Sequence, residues 1–550
     1  MRGKRARGEG KAGWRWRLIG GYRRTQIRSS RHPLSPLTSH LARICLLAVL
    51  LADPLQAAQN GREIREQVRE WRERNEPAIL AELVQLLEIP NLASDRVHIR
   101  RNADHLVAML ARRGIAARLL EDDRAPPAVY GELRVPGASR TIVMYAHYDG
   151  QPVDTAAWRT PPWRVAFLDA PHDRGGRPAA APYGPETRIY ARSAGDDKSP
   201  IVAMLAALDA LRARGISPGV NLKFFLEGEE EAGSPNLGTM LTRYRDLLAA
   251  DAWLFADGPL HQSRRPQLVF GVRGTMNFQL TVYGPLRPLH SGHYGNWAPN
   301  PGVLLSELIL SMRDADGRVH MAGFYDDARP VTEAERRAIA AIPPADGQLR
   351  AELGLAATEA ANAPLLERLM LPALNVQGIE MARVGAGAAN VISPSATAAF
   401  GVRLVPDMRP ERVREVVLAH LRGRGWHVVD AEPDSATRGR HPRIVRVHFN
   451  SGGYPANRTD LDAPVARAMV RALQPALDQP LLLVPTSGGS LPLYHFTGIL
   501  GVPVISFPTV NHDNNQHGSN ENLRLADFRQ AIELFAVLFA RLGAEWPQGS

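Results

Sequence analysis

Residues 141–152 read TIVMYAHYDGQP, an apolar strand that is followed at once by His147-x-Asp149. In an extended chain, residues two apart face the same side of the strand, so the imidazole and the carboxylate converge. An imidazole that binds a metal usually has its second ring nitrogen held by a carboxylate. Taken alone, the pair has two interpretations: a metal ligand with its orienting acid, or a polar pair on the surface at the end of a strand.

Further apolar runs with strand character lie on both sides of this stretch, and helical patterns separate the later ones. The strand-like runs cover residues 128–135, 222–226 and 252–256, and the helical patterns cover 201–214 and 237–249. Strands that alternate with helices are typical of an α/β sheet, in which active-site residues follow the strand ends. We therefore expect an α/β fold with its chemistry at one edge of the sheet.

The pattern changes at about Gly271, where strands and helices of an α+β unit begin. This unit has roughly 180 residues, which is a normal domain size. The α/β pattern resumes after Gly452-Gly453, so we expect the second unit to be inserted into the first. The predicted segments are a basic leader with a signal peptide (1–57), the first part of the α/β domain (58–270), the inserted α+β domain (271–455) and the second part of the α/β domain (456–550).

The charge of the chain is uneven. Its net charge is +10, but residues 1–43 hold 12 of the 66 basic and one of the 56 acidic residues, so the rest of the chain has a net charge of −1. This excludes a globally basic nucleic-acid-binding protein. Cys45 is the only cysteine in the sequence, so neither a disulfide framework nor a thiolate metal site is available further along the chain.

The leader contains a nine-residue apolar run, residues 44–52, after its basic stretch. A bilayer span needs about 20 apolar residues, so this run is too short to be one. Together with the small-residue region at Leu55-Gln56-Ala57, it predicts a secretory signal and a protein that is periplasmic or secreted. The alternative is a basic tail that precedes an ordinary helix. No later run reaches membrane-spanning length, so we expect no membrane span after processing.

Acidic residues and a histidine follow other predicted elements. Asp196-Asp197 opens a helix, Glu229-Glu230-Glu231 closes an apolar strand, Asp257 follows another, and His517 lies in a polar loop. Helix-terminal charge and a solvated loop are the plain alternatives for the acids. Taken together with His147, the set offers imidazole and carboxylate ligands, which suit Zn²⁺, Mn²⁺ or Co²⁺ in an open catalytic site for one or two metals. Of two adjacent glutamates, one would be a ligand and the other a general base.

These motifs occur in the order and approximate spacing of the M20 metallopeptidases. The chain resembles that family over about residues 62–545, and within it the carnosinase-like dipeptidase branch. The inserted unit is similar to the family's lid domain at three motifs: Gly271-Val272-Arg273-Gly274, Leu289-His290-Ser291-Gly292 and Val402-Arg403-Leu404-Val405-Pro406. The resemblance implies a zinc-exopeptidase-like α/β/α catalytic domain with an inserted, ferredoxin-like α+β lid through which the protein forms a homodimer.

The resemblance also implies roles for individual residues. Two divalent metal ions, zinc with manganese or cobalt as alternatives, would be held by His147 and Asp257 on one side and by Glu231 and His517 on the other, with Asp196 as the bridge. Asp149 would orient His147, and Glu230 would be the general base. His290 would reach the opposite subunit's site and stabilise the oxyanion. The residues implied to hold the substrate's carboxylate or amide are Asn390, Arg403, Gly489 and Ser490.

Three segments depart from the family pattern. Ala191-Arg192-Ser193 replaces Gly-Arg-Gly, Ser199 replaces the glycine after the lysine, and Thr486-Ser487 replaces an Arg-Glu pair. All implied metal ligands are present, so we expect an enzyme that hydrolyses the amide bond of dipeptides or other small carboxylate-bearing amides. An N-acyl-amino-acid deacylase with the same site is the first alternative. The others are a non-catalytic metal- or peptide-binding protein and, if the leader is retained, a binder of nucleic acid or anionic surfaces.

Overall fold

The computed structural model describes residues 36–546, with side chains from residue 61 onward. Much of the predicted leader, residues 1–35, therefore lies outside the described part of the chain. From residue 57 onward the chain forms one compact unit.

Twenty strands build the sheets of the described part of the chain. They are β1 (Ala116–Leu120), β2 (Ala128–Leu133), β3 (Thr141–His147), β4 (Ala166–Leu168), β5 (Arg188–Tyr190), β6 (Asn221–Glu227), β7 (Ala252–Phe255), β8 (Gln267–Val269), β9 (Gly271–Val272), β10 (Gly274–Tyr283), β11 (Leu289–His290), β12 (Ala373–Glu380), β13 (Val391–Ile392), β14 (Ser395–Leu404), β15 (His427–Val429), β16 (Ile444–Phe449), β17 (Asn457–Arg458), β18 (Leu482–Val484), β19 (Val504–Ser506) and β20 (Asn522–Arg524).

Fifteen α-helices are found between residues 36 and 546. They are α1 (Pro36–Leu87), α2 (Arg96–Ala111), α3 (Lys198–Ala213), α4 (Leu237–Arg243), α5 (Arg245–Leu248), α6 (Ser291–Tyr294), α7 (Pro301–Met312), α8 (Glu333–Ala340), α9 (Asp346–Glu352), α10 (Glu359–Asn362), α11 (Leu365–Leu369), α12 (Pro410–Gly423), α13 (Ser435–Arg440), α14 (Pro464–Leu473) and α15 (Leu525–Glu545).

The largest sheet has eight strands in the order β1-β2-β6-β3-β7-β19-β8-β18. Its centre is parallel: β3 pairs with β6 on one side and with β7 on the other, and β7 pairs with β19. Central parallel strands are buried on both faces and read as continuous apolar runs. Residues 142–146 of β3 fit this rule, since all five are buried.

Helices cover both faces of this sheet. On one face, Ile142 and Met144 join a core with the buried sides of α2, α3, α14 and α15. On the other face, Val143 and Tyr145 pack with residues of α4 and α5. The two faces alternate along β3 because successive side chains of a strand point to opposite sides. The result is the predicted α/β/α arrangement.

The second large sheet uses residues 274–449 and has the order β12-β14-β10-β16-β15. β12, β14, β10 and β16 pair in antiparallel fashion, and β15 is parallel to β16. Apolar side chains of α7 and α12 pack on one face around Phe278 and Phe400. This α+β lid interrupts the chain between strands of the first sheet, and the predicted fold class is confirmed. The exact segment boundaries at 57, 270 and 455 stay predictions.

Within residues 36–546, no helix is both long enough and apolar enough to cross a membrane.

Candidate active site

The carboxyl ends of three adjacent parallel strands meet at one edge of the eight-stranded sheet. β3 ends at His147, β6 at Glu227 and β7 at Phe255, so the acids that follow β6 and β7 lie beside the histidine. His147 is fully buried, and its Nε2 is 2.8 Å from Oδ1 of Asp196. The other ring nitrogen, Nδ1, is 3.4 Å from Oδ1 of Asp149.

Asp149 contacts more than the histidine. Its fully buried carboxylate accepts the backbone N–H of Glu230 at 3.1 Å and that of Glu231 at 3.0 Å. One carboxylate therefore touches the imidazole and fixes the backbone of the two adjacent glutamates. The two hydrogen bonds to the backbone of Glu230 and Glu231 were not expected from the sequence.

Among the side chains that the structure describes, two groups have the geometry to hold a metal ion. His147, Asp196 and Asp257 form the first, and Asp196, Glu231 and His517 form the second. Within each group the ligand atoms lie within 4.8 Å of one another. Nε2 of His517 is 3.3 Å from Oδ2 of Asp196 and 3.3 Å from Oε2 of Glu231. Asp196 is the residue common to both groups.

The electrostatics of the cluster favour a bound cation. Burial and the neighbouring charge of Asp196 raise the pKa of Asp257 to about 6 and that of Glu231 to about 7. Burial also raises the pKa of Glu230 well above its usual range. Burial alone would raise the pKa of Asp196, but hydrogen bonding with His147 and His517 lowers it. Crowded carboxylates with raised pKa values are stabilised in their charged form by a nearby cation.

A buried carboxylate oxygen of Glu231 also indicates that a cation would fit this cluster. Oε1 of Glu231 is buried and has no hydrogen-bond partner among the described residues, while Oε2 accepts Nε2 of Gln151 at 2.7 Å. A buried carboxylate oxygen without a partner is costly unless a cation or a donor meets it. The imidazole and carboxylate donors fit a pair of borderline or hard divalent cations.

One important supporting residue, Glu521, was missed as a site residue. Its fully buried carboxylate pairs with Nη1 of Arg192 at 2.8 Å and accepts three backbone N–H groups, those of Ser193, Gly195 and Asp196, at 2.8–2.9 Å. It therefore holds the loop that presents Asp196. The only sequence signal was an acid in the polar loop that also contains His517.

The departure at Ser193 is accommodated locally. Its φ of 60° is in the left-handed region, where glycine is favoured. The hydroxyl compensates by accepting Nδ2 of Asn91 at 2.8 Å. The same hydroxyl lies where a side chain at Gly150 would have to sit, so the two positions depend on each other.

His290 and the residues implied to hold the substrate fall into two sets. His290 and Asn390 are exposed and lie together, because β11 pairs with β13 and the backbone N–H of Ser291 donates to the carbonyl of Asn390 at 2.9 Å. No hydrogen bond, ion pair or ring contact among residues 61–546 links either side chain to the metal cluster of the same chain.

The second set lies at the junction of the lid and the eight-stranded sheet. Nη1 of Arg403 donates to Oγ of Ser490 at 2.5 Å, and the carbonyl of Gly489 accepts the backbone N–H of Arg273 at 3.0 Å. Neither guanidinium has a carboxylate partner among the described residues. The structure thus brings Arg403, Gly489 and Ser490 together.

The sequence as a whole matches peptidase family M20/M25/M40 over residues 143–541, well over half of the chain. The chain belongs to this peptidase family. It is an M20-type metallopeptidase, and enzymes of this family use divalent metals.

Named relatives support the same assignment. The chain is 27% identical to the Cys-Gly metallodipeptidase DUG1 of Candida albicans over 82% of this chain and 92% of that protein. It is also 27% identical to the human Beta-Ala-His dipeptidase over 76% of this chain and 78% of that protein. Among solved structures, it is similar to the M20 family metallo-carboxypeptidase Sso-CP2 from Sulfolobus solfataricus, with a TM-score of 0.68, 28% identity and coverage of 85% and 99%. These relatives agree with the carnosinase-like branch.

The prediction of export is wrong. It depended on the apolar run at residues 44–52. The DUG1 dipeptidases, which the chain matches over most of their length, are cytosolic enzymes. The apolar run therefore gives no evidence of export.

Proposed function

We propose that this metallopeptidase hydrolyses dipeptides and other small amides that carry a free carboxylate. The observation that carries the proposal is the pair of ligand groups that share Asp196, with Glu230 beside them at 4.0 Å from Nε2 of His147. The dipeptidase relatives point to the same reaction.

The five ligands His147, Asp196, Glu231, Asp257 and His517 would hold two divalent cations, with Asp196 between them. Zinc suits this donor set, and manganese or cobalt would be accepted by the same oxygens and imidazoles. When bound, such cations polarise the scissile carbonyl and make a water acidic enough to attack it.

Glu230 is then the general base and acid of the reaction. Its carboxylate accepts the proton of the attacking water and later gives it to the amine that leaves. Burial raises the pKa of Glu230 in the cation-free protein, which makes its carboxylate a stronger base than an exposed glutamate. Asp149 keeps the base in place through the backbone N–H of Glu230.

Arg403 is the proposed site for the free carboxylate of the substrate. Its guanidinium is exposed, lacks an acidic partner in the described part of the chain and is held at one nitrogen by Ser490. A guanidinium fork pairs with a carboxylate through two hydrogen bonds. Gly489 would hold the neighbouring amide together with Asn390 of the partner subunit, since Asn390 lies beside His290.

The lid would also form a homodimer. Its edge strand β12 and the outer face of α7 carry exposed apolar side chains, with Ile379 of β12 63% and Leu310 of α7 68% exposed. Exposed apolar patches of this kind mark interaction surfaces. Dimerisation would place His290 at the partner's site, where its imidazole stabilises the oxyanion.

A deacylase acting on N-acyl amino acids is the second candidate. Ser487 stands where the dipeptidase branch has a glutamate, so this chain has one acid fewer with which to bind a free substrate amine. An N-acyl group needs no such acid.

Amine release distinguishes these two functions. Purified protein is incubated with dipeptides and with N-acyl amino acids, each with added Zn²⁺ or Mn²⁺ and with a chelator. Faster cation-dependent cleavage of dipeptides supports the first function, and faster cleavage of N-acyl amino acids supports the second. No release from either set, by protein shown to hold two cations, would contradict both.

A further inference from the structure

Three side chains form a row across the lid strands. Thr275 pairs with Arg403 of β14 on one side, and on the other it exchanges two backbone hydrogen bonds with Tyr454, at 3.0 and 2.9 Å. Residues directly opposite each other in antiparallel strands share a face. Their chain neighbours Met276 and Val402 point into the lid core, so the row lies on the opposite face. With strands about 4.8 Å apart, the backbones of Arg403 and Tyr454 are about 10 Å apart.

Both ends of this row contact the same loop of the catalytic domain, which follows β18. Arg403 donates to Ser490, and the ring of Tyr454 stacks on that of Tyr494 with centroids 5.4 Å apart and planes 14° apart. The row and the loop therefore border one recess, with a cation at one end and a pair of aromatic rings at the other.

The aromatic end of the recess is also within electrostatic reach of the general base. Burial raises the pKa of the Tyr454 hydroxyl, the charge of Arg403 lowers it, and that of Glu230 raises it. A substrate whose carboxylate is at Arg403 and whose scissile nitrogen is near Glu230 would have its C-terminal residue between these two groups. The side chain of that residue would lie beside Tyr454.

We infer that the stacked rings of Tyr454 and Tyr494 form an aromatic shelf for the side chain of the substrate's C-terminal residue, so that the site prefers dipeptides ending in an aromatic or branched aliphatic residue. The inference rests on the proposed function, since it takes Arg403 as the carboxylate site. Aromatic faces gain contact area with apolar and aromatic side chains, whereas a C-terminal glycine has nothing to place there. Tyr454 and Tyr494 are specificity residues in this scheme and do not touch the reacting atoms.

The test measures kcat and KM for Ala-Gly, Ala-Leu and Ala-Phe in the presence of Zn²⁺ or Mn²⁺. Tyr454→Ala is expected to lower kcat/KM at least tenfold on Ala-Leu and Ala-Phe, mainly through KM, and less than threefold on Ala-Gly. Tyr454→Phe keeps the ring and should stay within threefold of the unmodified enzyme on all three. Tyr494→Ala removes the other ring and should reproduce the Tyr454→Ala profile, which keeps the test decisive if one variant fails to fold.

Tyr244→Ala is the matched control. Tyr244 is a partly buried tyrosine whose hydroxyl donates to the carbonyl of Glu121 at 3.2 Å, away from the row. It should leave the ratio of kcat/KM on Ala-Phe to that on Ala-Gly unchanged. An equal loss on all three substrates in the shelf variants, or a loss in Tyr454→Phe as large as in Tyr454→Ala, overturns the shelf. Failure of the proposed function looks different, because the unmodified enzyme would then release no amine from any of the three dipeptides.

Discussion

At the scale of single residues, the buried carboxylate of Glu521 holds the loop that presents Asp196 to the other candidate ligands. His147, Asp196, Glu231, Asp257 and His517 come together in two groups, although they are spread over 371 positions of the sequence. Their proximity could be expected because each follows a strand or opens a helix at one sheet edge. The contacts of Glu521 could not, because a loop that folds back onto another loop has no periodic pattern.

Glu521 therefore gives the prediction for this scale. In Glu521→Gln, the amide NH2 group is a donor and cannot accept the backbone N–H groups that face it. The buried Arg192 also loses its counter-charge. Removing one member of a buried ion pair typically costs about 3–5 kcal/mol. We expect a clear fall in the melting temperature and at least a tenfold weaker affinity for Zn²⁺, measured by thermal unfolding and by metal titration.

The control for this variant is Glu415→Gln. Glu415 pairs with Arg412 at 3.0 Å, but both side chains are about half exposed or more, and such surface pairs contribute about 0–1 kcal/mol. Stability and metal affinity close to those of the unmodified protein are expected there. Equal effects of the two variants would show that Glu521 does not hold the Asp196 loop.

At the scale of elements, carboxylates that follow neighbouring strands lie close together and repel one another. This repulsion should make the free energy of unfolding depend on pH. In the cation-free protein the pKa values of Asp257 and Glu231, about 6 and about 7, lie above those of the unfolded chain. The folded protein then binds more protons than the unfolded chain, so the free energy of unfolding falls as the pH rises from about 4.5 to about 7. The raised pKa of His517 acts in the same direction.

Bound cations should prevent this fall in the free energy of unfolding, because they neutralise the crowded carboxylates. Thermal unfolding of chelator-treated protein across that pH range is expected to show a falling melting temperature, and added Zn²⁺ should restore it most strongly near pH 7. A melting temperature that rises with pH without cations, or that does not respond to Zn²⁺, would argue against a cation site at these strand ends.

Some features of these elements could be predicted from the sequence pattern, and others could not. The central strands β3, β6 and β7 were predictable because buried parallel strands are continuous apolar runs. The eight-stranded order was not, since β18 and β19 join the sheet from residues beyond the inserted lid, and the sequence of a strand does not say which strands it pairs with. The leader was misinterpreted because a short apolar run after basic residues has the composition of a signal-peptide core.

At the scale of the whole molecule, the separation of His290 from the metal cluster of its own chain predicts sharing between subunits. His290→Ala and Glu230→Gln should each be nearly inactive alone. Mixed under conditions that exchange subunits, they should regain up to about a quarter of the activity, because half of the dimers are mixed and one of their two sites is intact. Activity is measured by amine release, and the oligomeric state by sedimentation.

Two outcomes would speak against this sharing. One is a monomer with full activity, and the other is a mixture that remains as inactive as its two components. A mixture of the unmodified protein with the double variant His290→Ala, Glu230→Gln distinguishes exchange from simple dilution. It should keep half of the unmodified activity without exchange and a quarter with it, because neither site of a mixed dimer is then complete.

The central claim is that Glu230 acts as the base beside a cluster of five ligands to which it does not belong. The most direct measurement is the metal content and the dipeptide turnover of Glu230→Gln in one sample. Two divalent cations per chain with turnover reduced at least a thousandfold is the result that this account predicts. Loss of a cation would make Glu230 a ligand, and retained turnover would place the base elsewhere; either result would contradict the claim.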